Sequence, residues 1–278
     1  MKTLSKVLAL LLAVACMLSF AACNGGEKSP ITPHTTTDNK NTVDASAVEF
    51  LNDGYLTIGT EASYMPFENQ EEDGTFVGYD MDLVQAVADK MGVKVKIINT
   101  GFDGILNGIG VNYDCVVSAV TINDERKAIV DFSAPYMDNY QAVVVAADSD
   151  LTVSSLLDLD GKDIAYQKGT TSDAIITDLE ATGSIDANAV ANESVATCFT
   201  MLDNGEVKYA LVDSTVADAY VAKSPDKYKV VFKDTTEPEQ FGVAMAQDND
   251  ALETAINAAI AELKTEGFFE KATNYWFG

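Results

Sequence analysis

Histidine and tryptophan are nearly absent from this chain, and basic side chains are scarce beside acidic ones. One histidine, His34, and one tryptophan, Trp276, occur in 278 residues, and 18 Lys+Arg stand against 43 Asp+Glu, a formal charge of -25. A lone histidine excludes a His-rich zinc site and a Ser-His-Asp triad within the folded part. An acidic field repels phosphate backbones and anionic headgroups, which argues against nucleic-acid partners and polybasic membrane docking. The four cysteines include no metal-spaced pair, and there is no phosphate-binding Gly-x-x-x-x-Gly-Lys loop and no Gly-x-Ser-x-Gly elbow. No metal and no cofactor is therefore expected. Gly101, Gly104, Gly108 and Gly110 lack dinucleotide spacing and read as turn and close-packing positions. Glu71-Glu72-Asp73 reads as a solvated turn rather than a calcium loop. What remains is a chain long enough for a substantial core without disulfides.

The N-terminus reads as an address. Lys2 and Lys6 precede an apolar run, Val7 to Phe20, that is too short to span a bilayer, for which about 20 residues are needed. Leu18-Ser19-Phe20-Ala21-Ala22-Cys23 resembles a bacterial lipoprotein signal, which implies cleavage of residues 1–22 and lipidation of Cys23. An ordinary signal cut after Ala21 or Ala22 is the alternative. Residues 23–47 are rich in Gly, Ser, Thr, Pro and Asn and read as a solvated tether, with His34 inside it. Cys16 leaves with the signal. Cys115 and Cys198 each sit in an apolar segment and read as two separate buried thiols rather than a disulfide.

Beyond the tether, strand and helix patterns alternate. Tyr55 to Gly59 has period two, and Leu83, Val84, Val87, Ala88 and Met91 form a helical stripe that Asp80 would cap and Gly92 would end. Val93, Val95 and Ile97 alternate with lysines. A short helix is expected over Phe102 to Ile109, a buried strand over Cys115 to Thr121, and a helix over Asp124 to Val130 capped by Asn123. A second series has strands at 142–145, 164–167, 209–212 and 230–232 and helices near 172–181, 194–203 and 216–223. A strand from Phe241 to Ala246 and a long amphipathic helix, 249–264, follow. Alternation of this kind predicts an α/β protein with two largely parallel sheets.

Several stretches together resemble the polar amino-acid family of bacterial extracytoplasmic solute-binding proteins, the receptors of ABC importers. They are Gly59-Thr60-Glu61-Ala62-Ser63-Tyr64-Met65-Pro66-Phe67-Glu68, Gly78-Tyr79-Asp80-Met81-Asp82-Leu83, Val120 to Lys127 followed by Asp131-Phe132-Ser133-Ala134-Pro135-Tyr136, Gln167 to Ser172, Leu211-Val212-Asp213, Phe241-Gly242-Val243-Ala244 and the ending Tyr275-Trp276-Phe277-Gly278. Their order and spacing span about 48 to 278. Two positions depart from the family, which often has Gly at Ala119 and Thr at Asn123. The resemblance implies the type II periplasmic binding protein fold: two α/β lobes, 48–141 plus 240–278 and 142–239, joined by two crossover strands with a ligand cleft between them. It implies a monomeric receptor that is no enzyme, lipid-anchored at the outer face of the cell membrane, delivering an amino acid to ABC permease subunits.

A free amino acid is a zwitterion, so its receptor needs a cation with paired donors for the carboxylate and an anion for the ammonium. The planar guanidinium of Arg126 suits the first task, and a surface pair with Glu125 or Asp131 is its bland alternative. By resemblance Thr121 adds a hydroxyl, Ala119 its backbone, and Gly169 and Thr171 donors from the second lobe, unless the Gly169 to Ser172 turn is a plain helix cap. Asp213, at the end of a strand, takes the ammonium or else caps the following helix. Tyr64 lies against the ligand or packs in the core. Glu61, supplemented by Gln167, faces the ligand's distal end and favours Arg, Lys, ornithine, Gln or cystine over Asp and Glu. The competing functions are a cyclohexadienyl dehydratase-like lyase on the same fold, with Glu61 as proton donor, and a sensory ligand-binding module.

Overall fold

The computed structural model describes residues 42–278; the expected signal, Cys16, Cys23, His34 and most of the expected tether lie outside the described residues. Strand β1 (Tyr55–Thr60) is followed by a small antiparallel sheet of β2 (Ser63–Tyr64), β3 (Glu68–Gln70) and β4 (Phe76–Val77). Helix α1 (Tyr79–Met91) ends at Gly92, whose φ of 70° is the left-handed stop that glycine takes without a Cβ clash. Its N-cap is Gly78, not Asp80. Asp80 lies buried in the first turn, where its Oδ2 accepts the Ala119 N–H at 2.7 Å and the Tyr136 hydroxyl at 2.9 Å.

Strand β5 (Lys94–Asn99) comes next, then β6 (Cys115–Val116), α2 (Asp124–Lys127), β7 (Asp131–Phe132) and the long β8 (Met137–Ala146). Three expectations shrink here. The strand 115–121 is regular only over β6, and the helix 124–130 is a single turn, because Asn123 caps it through the Arg126 N–H and the chain leaves the helix after Lys127. The helix over 102–109 is a 3-10 turn, Ile105–Gly108.

The second half runs β9 (Asp163–Gln167), α3 (Thr171–Ala181), β10 (Asn188–Asn192), α4 (Val195–Asn204), β11 (Tyr209–Asp213), α5 (Ser214–Lys223) and β12 (Tyr228–Phe241), then β13 (Ala244–Met245), α6 (Asp250–Thr265) and α7 (Phe268–Phe277). One sheet has the order β5-β1-β6-β13-β7 and the other β10-β9-β11-β8-β12. These are the sheets of two α/β lobes. Both are mixed rather than largely parallel. β5-β1-β6 and β10-β9-β11 pair in parallel, while β13, β8 and β12 add antiparallel ladders.

The central strands β8 and β11 of the second sheet are covered on both faces, which is why they read as near-continuous apolar runs. In β8, Ala142 and Val144 enter one core cluster and Val143 and Val145 another; in β11 Ala210 and Val212 part from Tyr209 and Leu211 in the same way. Phe67, fully buried, meets Phe241 at 5.3 Å and Phe277 at 5.4 Å between ring centroids, so the last helix closes on the first lobe. Trp276 Nε1 donates to Asp82 at 2.8 Å. Val43, inside the stretch expected as tether, is buried and its N–H bonds Lys90 O at 3.0 Å. Cys115 and Cys198 are free and buried.

β8 and β12 do more than pair within the second sheet. Their ladder continues to Phe241↔Met137, and Phe241 bridges Thr121, so both strands run from one lobe into the other.

Candidate functional site

The parallel strands of each lobe end at the same junction, and loops at the carboxyl ends of such strands are where open α/β sheets hold ligands. Beyond β1 lie Glu61 and Tyr64; beyond β6, Ala119 to Arg126; beyond β9, Gln167 to Thr171; at the end of β11, Asp213. Of the nine expected residues, Tyr64, Ala119, Thr121, Arg126, Gln167, Thr171 and Asp213 line one cavity of about 10 Å³ between the lobes. That is room for about one water. A cleft of about 450 Å³, walled by Phe102, Asp103, Arg126 and Gly169, opens beside it. Admitting an amino acid therefore requires the lobes to part.

Arg126 spans that junction. Its guanidinium donates to Thr121 O at 2.9 Å and, across the cleft, to Gly169 O at 3.2 Å, and it lies 5.6 Å from the Phe102 ring centroid. Burial lowers its pKa from the ordinary value, and the charges of Asp213 and Glu239 oppose that shift. It pairs with neither Glu125 nor Asp131; a guanidinium in this setting stays charged and keeps its fork.

Asp213 occupies the N-cap position of α5, yet its side chain makes no capping hydrogen bond. Instead Oδ2 accepts the Tyr64 hydroxyl at 2.5 Å, and Oδ1 accepts Asn139 Nδ2 at 2.7 Å and Gln141 Nε2 at 2.9 Å. Burial, then the neighbouring Glu239 charge, push its pKa up to about 7 against the pull of these donors. Tyr64 thus lines the cavity and steadies Asp213, and burial holds its own hydroxyl protonated.

Glu61 does not line the cavity but meets Gln167, which does. Gln167 Nε2 lies 3.3 Å from Glu61 Oε2, and Ser63 Oγ donates to Glu61 Oε1. Burial raises the Glu61 pKa despite those bonds. Gln167 Oε1 is buried without a hydrogen-bond partner. A buried acceptor left in that condition costs about 1–3 kcal/mol, which a donor-bearing guest would recover.

Four of the nine have parts other than those expected: the Thr121 and Thr171 hydroxyls, expected to donate to a ligand carboxylate, both donate to Glu239 Oε2, and Gly169 and Ala119 have committed their N–H groups. The Gly169 N–H is taken by Asp173 Oδ2 at 2.8 Å, so it cannot also grip an anion, and its φ of 75° lets the backbone pass close to Asp103. Lys168 and Asp103 close the same edge of the cleft at 2.6 Å. Ala119 has spent its N–H on Asp80 and sits at φ 47°, a left-handed conformation costing roughly 1–2 kcal/mol for a residue with a Cβ. That backbone is the physical reason glycine suits this position in the resembling family. Thr170, not Thr171, caps α3.

Sequence reasoning missed the residues supplied by the crossover strands: Asn139, Gln141 and Glu239. Tyr140-Gln141 reads only as the start of a strand and Glu237-Pro238-Glu239 as a connection, so no local signal marks them.

A fold of two α/β lobes with a cavity at the crossover walled by a guanidinium, Arg126, and a buried carboxylate, Asp213, is that of a ligand-capturing receptor. The chain belongs to the bacterial extracellular solute-binding proteins, family 3, whose model matches residues 56–278. It is 31% identical over 241 residues to the ABC transporter arginine-binding protein 1 of Escherichia coli (strain K12), a match covering 85% of this chain and 94% of that protein. Among solved structures, an ancestral arginine-binding protein bound to arginine is similar with TM-score 0.75 and 36% identity, over 81% of this chain and 99% of the other. An ancestral amino acid-binding protein, a precursor of cyclohexadienyl dehydratase, is similar with TM-score 0.73 and 33% identity, over 81% and 96%. The protein is a substrate-binding receptor of the amino-acid ABC transporter type.

Proposed function

We propose that this receptor binds an L-amino acid with a positively charged or donor-rich side chain, of which arginine is the type, and hands it to ABC permease subunits. The observation that carries the reading is the guanidinium of Arg126 and the buried carboxylate of Asp213 on the wall of one interlobe cavity, with Gln167, whose Oε1 is unpartnered, on the same wall and Glu61 in contact with it. Arg126 takes the carboxylate, Asp213 the ammonium, and Glu61 with Gln167 the distal donors. Glu61 would repel an aspartate or glutamate side chain. Because the contacts come from both lobes, binding selects the closed form.

A melting screen of the twenty amino acids, ornithine and cystine tests this. At a hundredfold excess over Kd a native-state ligand adds about 2.7 kcal/mol, which raises Tm by on the order of 5 °C or more. Arginine, lysine and ornithine should give the largest shifts; a screen answered only by aspartate and glutamate would overturn the assignment of Glu61. The dehydratase reading has Glu61 as its proton donor and the second ancestral structure as its precedent. Incubation with prephenate or arogenate should yield no aromatic product.

The remaining organisation belongs to the same reading: a signal over 1–22, a lipid on Cys23, a tether over 23–47 whose last residues from Val43 pack on the first lobe, lobes of 48–141 plus 240–278 and of 142–239, a monomeric receptor, and an anchored position outside the cell membrane. Its support is the lipoprotein-like Leu18 to Cys23. Cys23→Ser should move the protein from the membrane pellet to the soluble fraction on fractionation, and unchanged membrane association would refute the anchor.

A further inference from the structure

Two carboxylates, not one, lie at the junction of the lobes. Glu239 stands on β12 opposite Asn139, just after residues 235–238 loop out of register between Asp234 and Glu239. Irregularities of this kind re-aim a side chain. Here it is aimed between the lobes: Glu239 Oε2 accepts the Thr121 hydroxyl from one lobe and the Thr171 hydroxyl from the other, each at 3.1 Å. Gln141 Nε2, with two hydrogens to give, lies between the two acids, 3.1 Å from Glu239 Oε1 and 2.9 Å from Asp213 Oδ1, with Thr171 Oγ1 at 3.0 Å as a third acceptor that shares them. Ser172 Oγ donates to Gln141 Oε1 at 2.6 Å, which fixes the amide with its hydrogens towards the acids.

A threonine hydroxyl has one hydrogen to give and two lone pairs to receive with. We propose that Glu239 is a positioning residue of the ammonium subsite: by holding the hydroxyl hydrogens of Thr121 and Thr171 it leaves both oxygens only acceptor capacity towards the cleft, so that the site demands the three donors of an α-ammonium and rejects an α-hydroxyl. The inference rests on reading the cleft as an amino-acid site, and it adds a polarity rule that Asp213 alone does not impose. Asp213 supplies charge, whereas Glu239 sets the direction in which two neutral groups point. The raised proton affinity of Asp213, owed in part to Glu239, fits two acids sharing one set of donors.

The test is calorimetry on Glu239→Gln with the amino acid giving the largest melting shift, arginine in the first instance, and with its 2-hydroxy analogue measured by competition. Glu239→Gln should weaken the amino acid about tenfold, the scale of one charge-assisted hydrogen bond, and leave the hydroxy acid within about twofold. Equal losses for both ligands, or no loss for either, would overturn the proposal. The Thr121→Val/Thr171→Val double variant keeps the Glu239 charge and removes the hydroxyls. Adding Glu239→Gln to it should cost no more than about a further twofold. A further tenfold loss would mean that Glu239 acts on the ligand directly, and the positioning role would fall. Should the wild-type protein shift with no amino acid at all, the receptor reading fails first, and the melting screen reports that separately.

Discussion

Arg126→Ala should abolish amino-acid binding in calorimetry while the protein remains folded. In the complex the ligand carboxylate loses its water when the lobes close, and the guanidinium is the cation positioned to replace that water. Truncating one partner of a buried, hydrogen-bonded charge pair costs about 2–5 kcal/mol, or roughly thirtyfold to several thousandfold in Kd. Arg126 also donates across the cleft to Gly169 O, so the variant loses a contact of the closed form as well. Arg126→Lys separates the two contributions. It keeps the charge and loses the fork, and it should recover only part of the affinity because a point charge grips one carboxylate oxygen at a time. Near-normal affinity in the alanine variant, with an unchanged melting temperature, would remove Arg126 from the site.

Long elements were legible in the chain and short ones were not. The period-two run at Tyr55 to Gly59 and the stripe from Leu83 to Met91 are each long enough to state their own geometry, and both elements stand where that geometry puts them. β6, β7 and β13 are two residues each. β6 and β13 fall inside the longer strands expected over 115–121 and 241–246, while no period can be read over the two residues of β7, so the antiparallel direction of this part of the first sheet was not legible. β10, Asn-Ala-Val-Ala-Asn, carries polar residues at both ends of an edge strand and gives no clear signal. The site divides by the same logic. Arg126 and Asp213 stand at the ends of recognisable elements, where topology fixes what they face. Glu239 is 118 residues from Thr121 and 68 from Thr171. Its nearness to both depends on residues 235–238 looping out of a ladder, which only the folded chain reveals.

Affinity should fall as the solution is acidified below about pH 7, and ligand-free stability should move the opposite way. The group responsible is Asp213, which faces the Tyr64 hydroxyl, the amides of Asn139 and Gln141, the Glu239 carboxylate and the Arg126 charge. Burial and then Glu239 lift its pKa to about 7, so near neutrality the empty site is divided between protonated and ionised forms. An ammonium is held by the ionised form. Binding below pH 7 must therefore expel a proton, and Kd should rise by up to about tenfold for each pH unit lost. Calorimetry at pH 6 in two buffers of different ionisation heat should report release approaching one proton, falling towards none at pH 8. For stability the sign reverses. A carboxyl whose native pKa lies above its unfolded value of 3.8 binds more protons in the native state, so its ionisation destabilises the fold as pH rises through the window from about 4 to 7. Burial raises Glu68 and Asp80 in the same direction. The empty receptor should thus melt higher at pH 5.5 than at pH 8, while the melting shift caused by ligand shrinks. Asp213→Asn should flatten the pH dependence of what binding remains; a Kd constant from pH 5 to 8 in the wild-type protein would show that this carboxylate does not meet the ammonium.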